Sequence, residues 1–213
     1  MKIPLKNQLR SPHAALAQLQ DEALDIFYTV APEAVLHGGT AIWRCYGGKR
    51  FSEDLDFYAP ADRLMKEKLG AESAKRSLVL TKFRETRNAL YSRISDGRTE
   101  VSIEATLRPS KRRILSTYER ADGSTNDIYT LAREDLIIEK AHAFASRKLI
   151  RDIYDVYFLS GTADLKNVRS ELLKFLEKIP QPADEKNLRT LVYSGPCPSF
   201  SDMVSALERR LKA

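Results

Sequence analysis

The alternation Asp54, Leu55, Asp56, Phe57 constrains this chain more than any other stretch. At the two-residue period of a β-strand, Asp54 and Asp56 project from one side while Leu55 and Phe57 point to the other, into a core. Two carboxylates sharing a face repel unless one is protonated or a cation lies between them. Oxygen-only ligands of this kind suit a hard ion such as Mg²⁺, with Mn²⁺ as the alternative, and leave places for water and phosphate oxygens. The bare D-x-D pattern also fits a solvated strand edge with no chemistry. Just upstream, Gly38-Gly39-Thr40 forms a strand-to-helix turn, where small residues let backbone N–H groups and a helix N-terminus approach phosphate. Cradle and metal site together make one proposal.

The rest of the chain is read around that strand. Ser11 as N-cap and Pro12 at the first helical position open a helix over Pro12 to Tyr28. Val35 to His37 is a short strand, and the turn at Gly38 leads into a helix that Gly47-Gly48 ends. A helical pattern covers Ala61 to Ser77. Leu78 to Phe83, Arg87 to Ile94 and Thr99 to Leu107 read as strands, with Asp96-Gly97 a hairpin turn. After a basic stretch and a turn-rich segment at Asp122 to Asn126, a strand at Asp127 to Thr130 precedes helices near 133–147, 151–159, 165–177 and 200–211. The fold class is therefore α+β: a mixed β-sheet flanked by helices over residues 1–122, then a mainly helical region over residues 123–213.

A third carboxylate is found by the same parity. In Thr99 to Leu107 the apolar residues Val101, Ile103 and Ala105 face one way and Ser102, Glu104 and Thr106 the other. Glu104 is the candidate and Glu100, at the same parity, its substitute; either also fits the solvent side of an amphipathic strand. Lys140, Arg147 and Arg151 share a stripe if their helix continues or bends gently, giving a cationic wall for a triphosphate. Against this, Asp152 could pair with Lys148 and Asp155 with Arg151 at i,i+4 spacing.

Composition sets limits. At 213 residues with 43% hydrophobic content the chain can bury a core without disulfides. The 35 Lys and Arg against 29 Asp and Glu favour approach to polyanions such as NTPs or RNA. The run Arg108, Lys111, Arg112, Arg113, with Tyr118 nearby, could track an RNA backbone or form a solvated loop. Cys45 and Cys197 have no C-x-x-C spacing, and a reducing, cytoplasmic setting fits. No stretch nears the ~20 apolar residues of a membrane span. His13, His37 and His142 lack metal-ligand spacing.

The stretches L-H-G-G-T-A-I, R-F-S-E-D-L-D-F, R-E-D-L-I-I-E-K-A and R-D-I-Y-D-V-Y-F-L, in that order from about Leu36 to Leu159, resemble the AbiEii/AbiGii toxin family of the DNA polymerase β-like nucleotidyltransferase superfamily. The resemblance implies a nucleotidyltransferase core followed by a helical region completing the NTP site. It further implies a toxin of a toxin–antitoxin or phage-defence system, with a cognate antitoxin, that moves a nucleotide from NTP to RNA, in relatives to tRNA acceptor ends. Gly38, Gly39 and Thr40 match the glycine turn, and Ser52, Asp54 and Asp56 the S-x-D-x-D segment. Lys140 matches the lysine of the E-K helix, and Asp152 and Asp155 the late R-D-x-x-D segment. Glu104 fits the third carboxylate by position.

The expected mechanism has two metal ions. Asp54 and Asp56 hold one with the triphosphate, and Glu104 shares the other, which activates the acceptor hydroxyl. Gly39, Thr40, Ser52 and Lys140 would hold the β- and γ-phosphates, while Asp152 and Asp155 orient Lys140 or contact the base. Transfer to a protein or a small molecule such as an aminoglycoside is the alternative within this chemistry. A non-catalytic module that binds antitoxin or RNA is the alternative outside it.

Overall fold

The computed structural model describes residues 3–110 and 112–212 and divides into two compact units. The first comprises residues 1–45 and 52–131; the second comprises residues 46–51 and 132–213.

In chain order the first unit contains α1 (Leu5–Gln8), α2 (Ser11–Val30), β1 (Val35–His37), α3 (Gly38–Tyr46), β2 (Leu55–Ala59), α4 (Met65–Lys75), β3 (Val79–Glu85), β4 (Ala89–Ser95), β5 (Glu100–Leu107), β6 (Ile114–Glu119) and β7 (Thr125–Thr130). The last residue of α3, Tyr46, already belongs to the second unit. The strands form one mixed sheet in the order β3-β4-β5-β2-β1-β7-β6. β2 runs antiparallel to β1 and parallel to β5. This is the α+β mixed sheet with flanking helices read from the sequence.

Alternation decides what each strand buries. Leu55 and Phe57 on β2, Val101 and Ile103 on β5, and Leu90 and Ile94 on β4 are all fully buried. Phe57 stacks on Phe27 of α2 at 4.2 Å, and Tyr28 meets it edge-on. These contacts anchor the long amphipathic helix on the covered face. Burying each such side chain contributes about 1.5–3 kcal/mol. One polar knot joins α2 to the far end of the sheet. Buried Asp21 accepts hydrogen bonds from Arg44, from the Tyr118 hydroxyl at 3.1 Å and from the Ala121 N–H at 2.7 Å.

Several local expectations change. Arg10, in extended conformation, is the N-cap of α2, and Ser11 lies inside the helix without a side-chain cap. The helix expected at 61–77 begins only at Met65. β6 went unread because it is an edge strand: Tyr118 is its one fully buried residue, so no two-sided apolar pattern marks it. The expected division after residue 122 falls in the turn between β6 and β7, two strands of one hairpin. Tyr118, considered as an RNA contact, is a core residue.

The second unit contains α5 (Arg133–Arg147), α6 (Ile150–Leu159), α7 (Arg169–Glu177), α8 (Leu188–Leu191) and α9 (Phe200–Lys212), with 3₁₀ turns at Leu165–Asn167 and Glu185–Asn187. Phe144 of α5 meets Phe175 of α7 and Phe200 of α9 at ring distances near 6 Å. α5 does not run on into α6. Lys148 takes a left-handed φ of 57° and caps α5, so Arg147 and Arg151 stand on different helices. Residues 46–51 tie into this unit through an Arg50–Val192 bridge and the Phe51 N–H donating to Leu191 O at 2.9 Å. Among the described residues no helix is long and apolar enough to cross a membrane.

Candidate active site

The carboxylates belong to the first unit, and strand register brings two of them side by side. In the parallel pairing of β2 with β5, Asp56 is the direct partner of Glu104. In the antiparallel pairing with β1, Asp56 faces His37. Asp56 lies in the strand and Asp54 one residue before it, both half-buried, while their neighbours Leu55 and Phe57 are buried on the other face. Burial first, then the charge of Asp56 and that of Asp54, pushes the Glu104 carboxyl above the usual carboxylate range. The three acids therefore repel one another across one face. Glu100, the substitute, is engaged elsewhere: it accepts from Thr81 Oγ1 at 2.5 Å and Arg93 at 2.8 Å.

The glycine turn is shaped by Asp56. Gly38 has φ of +71°, and a Cβ there would lie 2.1 Å from Asp56 Oδ2. Glycine is required both for the backbone angle and for the close approach. Gly39 and Thr40 are buried at the start of α3. The Thr40 hydroxyl donates to the Asp54 carbonyl at 2.6 Å, so it fixes the approach to β2 instead of reaching outward. From α2, the Gln20 side-chain amide donates to the carbonyls of Ser52 and Glu53 at 2.9 and 2.8 Å. Ser52 is half-buried on this clamped loop. His37 stacks on Tyr58 at 4.1 Å, and Arg108 lies over the same tyrosine. Arg113 lies over Tyr129, and Lys111 is outside the described residues.

Gly38→Ala is expected to displace the Asp56 carboxylate and lower turnover by roughly 10²-fold, the scale on which misplacing a reacting group by 1 Å acts. Gly47→Ala is the control: its φ of +70° carries similar backbone strain, but nothing lies within 4 Å of the added methyl. Both should lose about 1–2 kcal/mol in urea titrations, and only Gly38→Ala should lose turnover on that scale.

The remaining candidates belong to the second unit and form an ionic chain, buried except at its exposed Arg147 end. Arg50 grips Asp155 with two hydrogen bonds of 2.6 and 2.5 Å. Arg147 grips Asp152 in the same way at 2.6 and 2.7 Å. Lys140 Nζ sits between the two carboxylates, 3.5 Å from Asp152 and 3.2 Å from Asp155. Burial opposes ionisation of Asp152, but the Arg147 hydrogen bonds and the charges of Lys140, Arg147 and Arg151 outweigh it and hold the pKa below its ordinary value. The pairings Asp152–Lys148 and Asp155–Arg151 are thus replaced by longer-range ones. Both aspartates are at most 1% exposed, which favours orienting Lys140 over touching a base.

A family model for the AbiEii nucleotidyl transferase toxin of type IV toxin–antitoxin systems matches residues 23–194. The chain belongs to the AbiEii family. This AbiEii protein is a nucleotidyltransferase, and its family implies an NTP substrate and an antitoxin partner. No curated protein sequence matches it. Its fold is similar to that of JHP933 from Helicobacter pylori, at a TM-score of 0.66 and 18% identity, covering 96% of this chain and 92% of that one. It is also similar to MenT4, a nucleotidyltransferase toxin from Mycobacterium tuberculosis H37Rv, at a TM-score of 0.64 and 19% identity, covering 95% of this chain and 84% of that one.

Two residues escaped sequence reasoning about this AbiEii chain. Arg50 is the partner of Asp155 from a segment 105 residues earlier. Its one available signal was position, between Gly47-Gly48 and the S-x-D-x-D segment. Gln20, a polar residue in an apolar helix face, could have been flagged by its interruption of that face.

Proposed function

We propose that this AbiEii enzyme transfers a nucleotide from NTP to an RNA acceptor in a divalent-metal-dependent reaction, with Asp54, Asp56 and Glu104 as metal ligands. The observation that carries the reading is the Asp56–Glu104 register pair, two carboxylates side by side on one face; burial first, then the charges of Asp56 and Asp54, raise the Glu104 pKa. A cation would relieve their repulsion. Among the described residues no three such side chains already stand in metal-ligating geometry. The donor set still fits Mg²⁺ or Mn²⁺, because a hard ion can take one or two carboxylates and complete its shell from water and substrate phosphate. Bound there, the ion would polarise the α-phosphate and lower the pKa of the acceptor hydroxyl.

The chain's own residues do the positioning. Gly38 admits the Asp56 carboxylate against the turn, while Thr40 and Gln20 hold the backbone of residues 52–54. N–H groups of Gly39 and Thr40 at the start of α3 would face phosphate oxygens. Lys140 would offset charge on the leaving pyrophosphate, a role resting on its motif. Arg50 and Arg147 balance the two carboxylates that Lys140 contacts, so the cluster with Lys140 keeps a net positive charge. The acceptor oxygen bonds to the α-phosphorus as the bond to the β-phosphate oxygen breaks, and pyrophosphate leaves.

The formal charge of +6 supports a polyanionic acceptor. The test is incubation with each labelled NTP and Mg²⁺ against separate RNA, protein and aminoglycoside pools. Label should enter RNA and be lost with chelator. Label confined to protein or aminoglycoside would overturn the RNA acceptor, and transfer undiminished by chelator would overturn the metal.

A further inference from the structure

The sheet face that carries Asp56 and Glu104 continues beyond them. Glu104 pairs with Tyr91 on β4, and Tyr91 with Arg84 on β3. One rung along, Ser102 pairs with Arg93, and Arg93 with Lys82. Residues directly paired across strands share a face. The opposite face is filled by the buried Leu90, Ile94, Val101 and Ile103, so Tyr91, Arg84, Arg93 and Lys82 stand on the same face as Glu104. All four are exposed. Tyr91 is 42% exposed, an aromatic ring on the strand next to the sheet edge with its surface turned outward.

Two hollows meet on this face. One, of about 170 Å³, is bordered by His37, Asp56, Tyr91 and Glu104. The other, of about 230 Å³, is bordered by Lys82, Arg84, Tyr91, Arg93 and Glu104. Tyr91 and Glu104 belong to both, so the hollows form one strip running outward from the carboxylates. Each is smaller than the roughly 300 Å³ at which enclosed small-molecule sites begin. A strip suits an extended chain. Its charge is graded: the outer hollow carries Lys82, Arg84 and Arg93 against Glu104 and the Glu100 that Arg93 holds at 2.8 Å, while Asp56 lies at the inner one, so the outer end is positive and suits phosphates. Exposed aromatics among cations on a sheet bind single-stranded nucleic acid, whose unstacked bases lie on the rings while the cations meet phosphates.

We propose that this strip docks the single-stranded 3′ segment of an RNA acceptor. Tyr91 stacks on a base at or next to the 3′ end, and Lys82, Arg84 and Arg93 hold the phosphates that precede it. The terminal hydroxyl is thereby delivered to Glu104. The inference rests on the RNA acceptor proposed above and adds which surface holds it and which form of RNA it takes.

The test measures binding of a short fluorescent single-stranded RNA with a free 3′ hydroxyl, and of the same sequence in a blunt duplex, across a salt series. NTP affinity and label transfer are followed on the same samples. The parent protein should prefer the single strand. Tyr91→Ala should weaken its binding roughly ten- to a hundred-fold, and Tyr91→Phe should restore it. Lys82→Glu with Arg84→Glu should weaken binding and flatten its salt dependence by about two charges. NTP affinity should persist in all variants, showing them folded. If RNA is labelled while these variants bind it as the parent does, the strip is overturned and the RNA acceptor stands. If the parent neither binds nor labels RNA but labels protein or aminoglycoside, both fall.

Discussion

Replacing Asp56 by Asn is expected to lower nucleotide transfer by roughly 10²–10³-fold or more, the range seen when one group stabilising transition-state charge is removed. The size follows from where Asp56 stands. It is the direct neighbour of Glu104 across two parallel strands, and its carboxylate abuts the Gly38 backbone. The adjacent side chains cannot take that position, because Leu55 and Phe57 point into the core. The fold should tolerate the change, since a repelling charge is lost while the strand keeps its hydrogen bonds. Melting temperature should therefore match or exceed that of the parent. Initial rates with labelled NTP, read beside thermal denaturation, check both halves. Parent-level transfer by a folded Asp56→Asn protein would remove Asp56 from the site.

Asp155→Ala should instead strike stability, by about 3–5 kcal/mol, the cost of leaving buried charge without its partner. Asp155 is 1% exposed and is shared by Arg50 and Lys140. Truncating it strands two cations, and Lys140 keeps only Asp152. Burial lowers the Arg50 pKa and attraction to Asp155 more than restores it; without Asp155 the guanidinium still stays charged, because arginine is not deprotonated in proteins. Urea denaturation followed by helix signal should show the loss. A change below about 1 kcal/mol would mean that water reaches the cluster. Asp152 adds a pH signature. Its folded pKa lies below the ordinary value of 3.8, so its contribution is complete above that pH and is lost as pH falls through the lowered value. Asp152→Asn should reduce stability at neutral pH and remove that part of the acid transition.

Most strands and helices were legible because their signal is local. β2 and β5 alternate apolar and polar residues at period two, and α2 and α5 repeat at the helical period, so parity alone predicted that Asp54 and Asp56 share a side and that Glu104 faces away from its core. β6 was not legible, because an edge strand buries so little that no alternation is imposed. The break between α5 and α6 was equally hidden: Lys148 adopts its left-handed angle without glycine, and nothing in a lysine announces it.

By itself, the amino-acid sequence determined most of the elements, the faces their side chains take and the family, since these depend on short-range pattern and on motifs in order. Only the tertiary structure decided which faces meet. Register between β2 and β5 made Asp54 and Asp56, a weak pair alone, into neighbours of Glu104. Tertiary contacts assigned Asp155 to Arg50, 105 residues earlier, and Asp152 to Arg147 and Lys140 on the preceding helix, in place of their helical neighbours. Buried charges take the partner that best satisfies them in three dimensions, and spacing along one helix cannot reveal which that is.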